Sequence, residues 1–392
     1  MSPVDLAALE GLRRRTDPEA DRVADHYLDR PPTDFFVGVL AGRYIGTDMQ
    51  DPHVAAWLKE QPPLPDWVDR GRLSRGSAFF AEWGLQLGLG LFLSSLPLAY
   101  AAHDGVQVLA LTAQLETDTK RRILESAQFV LDVTAPGALE PGRPGYDTAR
   151  LVRLMHAGVR HLIRTDPRVV RTSDSSVWPR WDESWGEPIN QEHLLGALIS
   201  YSSSLLHVLD RLRIDYDDTA ASDYCHLWNV VGWLLGIAPD LLPLERAEMD
   251  EIERLIIKRN QKRSEAGTKM TGALIDLVGS FIVIKPLRGV AASTSRLFIG
   301  DETADLLDMP RADWTRYLVG SMRDFSSRSS WLVVHDKVMR RVVARVSRRT
   351  LTGFVDHERH GDRPSFTIPD HLAPSFAPGP VRTAVNKLRR RS

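Results

Sequence analysis

Residues 146–164 read YDTARLVRLMHAGVRHLIR, and the spacing of their side chains sets the fold class. Leu151, Met155, Val159, Leu162 and Ile163 recur at intervals that gather them on one apolar face of a helix. Arg153, His156, Arg160 and Arg164 follow one another by three, four and four residues, which puts them on the adjoining stripe. A solvated polar face is the ordinary explanation of such a stripe.

The same pattern continues on either side. Pro136–Gly145 is a proline- and glycine-rich loop that delivers this helix, and Lys120 to Val133 is amphipathic ahead of it. Thr16-Asp17-Pro18 and Asp51-Pro52 each place a capping side chain before a proline suited to a first helical turn. Gln61–Pro65 reads as a turn that introduces Trp67. Downstream, Asn190 is a good N-cap, so His193 falls in a first turn, where the helix dipole disfavours an imidazolium. That helix is expected to run through Leu194, Leu198, Leu205 and Leu209 to Arg213. Further helices are expected over 218–235, carrying Tyr224, His226, Trp228 and Trp233, then over 245–267 and 270–284, and from Thr303, Ala312 and Trp331. The fold class that follows is all-α.

Composition bounds the function. The chain has 392 residues, 43% hydrophobic and 26% charged, which supplies a sizeable core. A net charge of -1 gives no general field for nucleic acid, and a polyanionic partner is not expected. Cys225 is the one cysteine, which excludes an internal disulfide and a thiolate-rich metal site and suits a reducing cytoplasm. The charged first 30 residues lack the apolar core of a secretory signal. Residues 83–102 (WGLQLGLGLFLSSLPLAYAA) carry no charge and are long enough to cross a bilayer. Gln86, Ser94, Ser95 and the expected helix-interrupting Pro97 favour a buried core helix instead, so no integral membrane protein is expected, and the glycines would admit a flat ligand or a neighbouring helix.

Glycine-rich dinucleotide and phosphate loops, His-Glu-x-x-His and Gly-x-Ser-x-Gly are all absent from the sequence. What remains is a helical chain with 12 histidines and a stripe of arginines. A haem asks for an axial ligand, an apolar slot and cations for two propionates, and those residue types are present.

Four ordered blocks carry a family resemblance: Leu151–Arg160 (LVRLMHAGVR), Trp185–Leu198 (WGEPINQEHLLGAL), His226–Gly236 (HLWNVVGWLLG) and Leu297–Asp308 (LFIGDETADLLD). The chain resembles the MpaB-like oxygenases and, more distantly, the latex-clearing (rubber oxygenase) proteins, from about Val37 to Pro369. The resemblance implies a large single helical domain over 37–369 with a globin-like core that binds haem b. It is preceded by an N-terminal helical extension, 1–36, and followed by an extended basic tail, 370–392. By position the iron-ligating role falls to His193, with His226 and His156 as alternatives. Arg160 and Arg323 match arginines near the haem, and Arg160 and His156 are the catalytic candidates. Where some latex-clearing proteins carry a distal lysine, this chain reads His161-Leu-Ile-Arg164.

The function implied is a haem-dependent oxygenase acting with dioxygen on an apolar, unsaturated or polyisoprenoid-like substrate. The alternative is a non-catalytic helical protein that binds an apolar ligand, with structural histidines and a surface arginine stripe.

Overall fold

Every extended element of regular structure among the described residues is helical, and their one β pairing is an isolated bridge between Ala102 and Gln261. The computed structural model describes residues 6–28, 56–57, 59–112, 119–165, 181–282, 284–311, 314–321 and 344–347, with single positions at 350 and 353. In chain order the helices are α1 (Leu6–Leu12), α2 (Pro18–Leu28), α3 (Arg70–Gly90), α4 (Leu96–Ala101), α5 (His103–Thr112), α6 (Thr119–Val133) and α7 (Pro144–Thr165). They continue as α8 (Gln191–Tyr201), α9 (Ser203–Arg211), α10 (Asp218–Leu234), α11 (Arg246–Asn260), α12 (Glu265–Ser280), α13 (Val290–Ile299) and α14 (Asp301–Leu306). A short further helix spans 315–321. The all-α expectation holds.

The apolar stretch 83–102 is central. Asp69 caps α3 by accepting from the N–H groups of Gly71 and Arg72, and the helix buries Phe79, Phe80, Trp83 and Leu87. It packs closely on α10 because Gly76 has no side chain: a Cβ there would lie 2.5 Å from the Asp223 carbonyl oxygen. Gly90 does the same against Leu205 and Val208 of α9. Arg72 and Arg75 then close on the Asp223 carboxylate at 2.9 and 2.5 Å. By length and composition Arg70–Ala101 is long and apolar enough to cross a membrane, yet 56% of its most apolar window is buried inside the protein.

Pro97 does not end this helix, contrary to the expectation from sequence. Residues Leu91–Ser95 widen into a π-helical turn, in which the Leu96 N–H bonds to the Leu91 carbonyl, and the chain re-enters α-helix with Pro97 in its first turn. A proline costs little where the hydrogen-bond register is already being shifted and its missing N–H belongs to a new first turn.

Two long helices expected from the sequence are each divided. The run from Leu194 to Arg213 breaks at Ser202 (φ -114°, ψ -98°), whose hydroxyl donates back to the Leu198 carbonyl at 2.8 Å and offers the backbone a competing partner. The charged run from Glu245 ends at Asn260. Ser264 then caps α12 by accepting from the Gly267 N–H, so the apolar helix begins at Glu265 and finishes at Ser280. At the end of α10, Gly236 adopts φ 90° beside the Asp17 carboxylate, leaving no space for a side chain.

The main core lies where α3, α8, α9 and α10 meet, around Leu87, Leu198, Leu205, Tyr224, Trp228 and Val231. The N-terminal segment is docked on this body, with Leu9, Ala20 and Ala24 fully buried. Asp51-Pro52, Trp331, the linker tryptophan Trp178 and the tail 370–392 lie outside the described residues.

Candidate functional site

Four segments converge around His193. The side-chain oxygen of Asn190 accepts from the His193 N–H at 3.0 Å, as expected of the cap that starts α8. The two residues between them are anchors. Gln191 donates to the carbonyls of Thr16 and Gly236 and accepts from the Ala238 N–H. Glu192, buried, pairs with Arg259 and accepts from Asn260 at 2.6 Å. With its first turn held at three points, α8 presents the His193 ring in a fixed place.

The surroundings of that ring are aromatic and apolar. Trp181 meets it edge-on at 6.4 Å, Trp185 meets Trp181 at 5.4 Å, and His103 meets Trp185 at 5.6 Å. Val108 and Ile163 are buried together with Val159, Trp181 and Ile189 around them. On α5, Gly105 leaves the imidazole against bare backbone: a Cβ there would make ordinary contact with Cδ2 and Nε2, at 3.8 and 3.9 Å. Burial pushes the His193 pKa down to about 4, opposed by Asp104 and aided by Arg13, so the ring is neutral at physiological pH. Its Nδ1 is buried with no hydrogen-bond partner. A buried polar atom left unpaired costs about 1–3 kcal/mol and calls for an explanation.

His156 has the same character. It lies one turn before Arg160 on α7, its Nδ1 is buried and unpartnered, and burial, then the Arg160 charge, takes its pKa to about 4. His226 differs. Its pKa is also lowered to about 4, first by burial and then by Arg72, but its Nε2 accepts the Asp69 N–H at 3.0 Å, and Trp67 packs edge-on against it at 5.7 Å. It secures the start of α3.

The arginines of the α7 stripe are taken up in ion pairs, buried at Arg160 and exposed at Arg164. Arg153 pairs with Asp17 and Glu19, Arg160 with Asp21, and His161 with Asp25, all on or just before α2. Arg164 pairs with Glu187. Arg160 is almost fully buried at 1% exposure; its Nε donates to Asp21 at 2.7 Å and its Nη1 to the Ile189 carbonyl at 2.6 Å, while Nη2 is buried without a partner. Ile189 adopts φ 48°, a left-handed conformation that strains a β-branched residue by about 1–3 kcal/mol. Arg160 therefore clamps the strained residue immediately before the cap of α8. Arg323 lies outside the described residues.

The structure thus groups His193 with Gly105 and Trp181, and places Arg160 beside the entry to the same helix. His226 belongs to another contact. Tyr201 is some eight residues along α8, about 12 Å at helical rise, and stacks on Trp228 at 5.0 Å, while Ser200 donates to the Ala197 carbonyl. The anchoring roles of Gln191 and Glu192, and the acidic partners on α2, were not read from the sequence. Their partners are between 45 and 175 residues away, and no local pattern signals them.

Tested against a haem, the donors fit in part. A neutral, buried imidazole whose Nδ1 is unpaired, and whose Nε2 edge lies against a glycine that adds no side chain there, suits metal ligation. Arg160 offers one nitrogen to a carboxylate, since its other two are committed.

Comparison with known proteins gives three matches. The sequence profile described as ER-bound oxygenase mpaB/B'/rubber oxygenase, catalytic domain, matches residues 75–328. The rubber oxygenase of Streptomyces sp. (strain K30) is 22% identical over 312 residues, covering 75% of this chain and 71% of that protein. A solved structure of latex clearing protein LCP in the closed state superposes with a TM-score of 0.71 at 21% identity, covering 91% of this chain and 95% of that one.

Proposed function

The chain belongs to the ER-bound oxygenase mpaB/B'/rubber oxygenase catalytic-domain family, and from that premise we propose that it is a haem b-dependent oxygenase with His193 as the iron ligand. The observation that carries the reading is the unpaired, buried Nδ1 of a neutral His193, set in an aromatic pocket at a rigidly anchored helix start.

When bound, the haem supplies the activation of dioxygen and its delivery to carbon. The chain's own residues do the rest. His193 offers a lone pair without a competing proton at any pH well above about 4. Asn190, Gln191 and Glu192 fix the ring's position, and Trp181, itself packed with Val108, Ile163 and Ile189, lies over it. Arg160 Nη2 is available to a carboxylate of the cofactor, with Arg323 as the second cation. His156 Nδ1 is an uncharged acceptor that could take a proton during turnover. The substrate class is an apolar, unsaturated organic molecule, polyisoprenoid-like in the broad sense, and dioxygen is the co-substrate. A reducing cytoplasm suits the lone, buried Cys225.

The committed arginine stripe favours the rival reading, a non-catalytic binder of an apolar ligand, because Arg153, Arg160 and Arg164 already have acidic partners. Absorption spectroscopy with oxygen-uptake measurement separates the two. A Soret band together with oxygen consumption on an unsaturated apolar substrate supports the oxygenase. Full apolar-ligand binding without either supports the rival.

A further inference from the structure

Away from the His193 pocket, α9 and α11 bring three metal-binding side chains together. His207 projects from α9, and Asp250 and Glu253, three residues apart on α11, lie opposite it. His207 Nε2 is 3.3 Å from Asp250 Oδ1, and its Nδ1 is 3.5 Å from Glu253 Oε2. One ligand atom from each residue can be chosen so that all three lie within 4.8 Å of one another. We propose that His207, Asp250 and Glu253 form a second metal site, binding a divalent transition ion such as Zn2+ and cross-linking α9 to α11.

The chemistry of the donors favours this class of ion. Zinc bonds imidazole nitrogen and carboxylate oxygen at about 2.0–2.2 Å, so tetrahedral ligands stand about 3.4 Å apart; here the two carboxylates face different nitrogens of the His207 ring, and one carboxylate has to swing round to share a single ligating nitrogen with the other. An imidazole suits zinc and its neighbours better than magnesium or calcium, which take all-oxygen shells. Two carboxylates and a neutral imidazole also balance a 2+ ion. The supporting contacts are those of a held site. The Ser204 hydroxyl donates to Glu253 Oε1, and Asp250 keeps Oδ1 towards His207 while its Oδ2 faces Arg246 at 4.0 Å. The His207 and Asp250 side chains are part-exposed, while the Asp250 Oδ1 that faces the imidazole is itself buried.

Without the ion, the same three groups form an imidazolium held between two carboxylates. The two carboxylates raise His207 to about 10, so an entering ion displaces one proton. The site is independent of the haem reading, and its test needs no activity measurement.

The experiment is Zn2+ titration of the chelator-treated full chain at pH 8, followed by calorimetry, proton release and thermal unfolding. One Zn2+ per chain should bind with release of one proton and a rise in Tm. Asp250→Asn and Glu253→Gln should each weaken binding by tenfold or more, and Ser204→Ala by about tenfold through the outer contact. Circular dichroism of each variant checks that the fold is retained. Absence of stoichiometric uptake by the wild type, or uptake unchanged in the Asp250→Asn/Glu253→Gln double variant, overturns the site and leaves an ion-pair triad.

Discussion

Arg160 on α7 donates from Nε to Asp21 Oδ1 on α2 across 2.7 Å, and the two side chains are 1% and 11% exposed. The pair ties the N-terminal segment to the body and, through Arg160 Nη1 and the Ile189 carbonyl, to the start of the helix that carries His193.

Breaking this pair should cost more than a surface ion pair does. Removing one partner of a buried pair leaves an uncompensated charge and costs about 3–5 kcal/mol. Both Arg160→Ala and Asp21→Asn should therefore lower unfolding free energy in urea by an amount of that order, and the double variant should cost less than the sum. Additive losses, or losses near those of exposed pairs, would show that the contact does not hold α2.

Stability should also depend on pH through His226. Burial, then Arg72, hold its pKa at about 4, below the ordinary imidazole value near 6.5, and its neutral Nε2 accepts the Asp69 N–H. The unfolded chain takes up that proton as pH falls through about 6.5, while the folded chain resists until about 4. The contribution is thus complete above pH 6.5 and lost progressively between 6.5 and 4. After solvent screening it amounts to at most about 2 kcal/mol. Thermal unfolding across this window should be less pH-dependent in His226→Gln than in the wild type; identical profiles would remove His226 as the titrating group.

Much of the fold was legible because helical caps and apolar periodicity are local. Asn190, the Pro18 entry, the extent of α7 and the Gly236 stop are each set by side chains within a few residues. The two helix breaks were not legible, since a serine such as Ser202 or Ser264 fits a helical pattern until a back-bond or a cap competes for the backbone. The π-turn that accommodates Pro97 is equally invisible to a periodicity reading. At the site, the first-turn placement of His193 was readable, but the occupation of Arg160 by Asp21 and of His226 by Asp69 depends on tertiary contacts 139 and 157 residues apart in sequence.

The close contact of α3 with α10 predicts opposite outcomes for two glycines. Gly76→Ala sets a methyl 2.5 Å from the Asp223 carbonyl oxygen, where backbone must move, and should destabilise the protein by about 1–3 kcal/mol. Gly272→Ala on the exposed side of α12 meets nothing within 4 Å and should stabilise it by about 0.5–1 kcal/mol. Denaturant unfolding of both variants checks the pair, and a neutral Gly76→Ala would refute the packing described.

The central claim is that a haem is held by His193, and the most direct measurement is haem content per folded chain, read from the Soret absorbance after reconstitution. The wild type should bind one haem b. His193→Ala should lose nearly all of it with its helical content intact, and His226→Gln should keep it, because the His226 nitrogen is already engaged by Asp69. A wild type without a Soret band, or normal haem content in His193→Ala with loss in His226→Gln, would contradict the account.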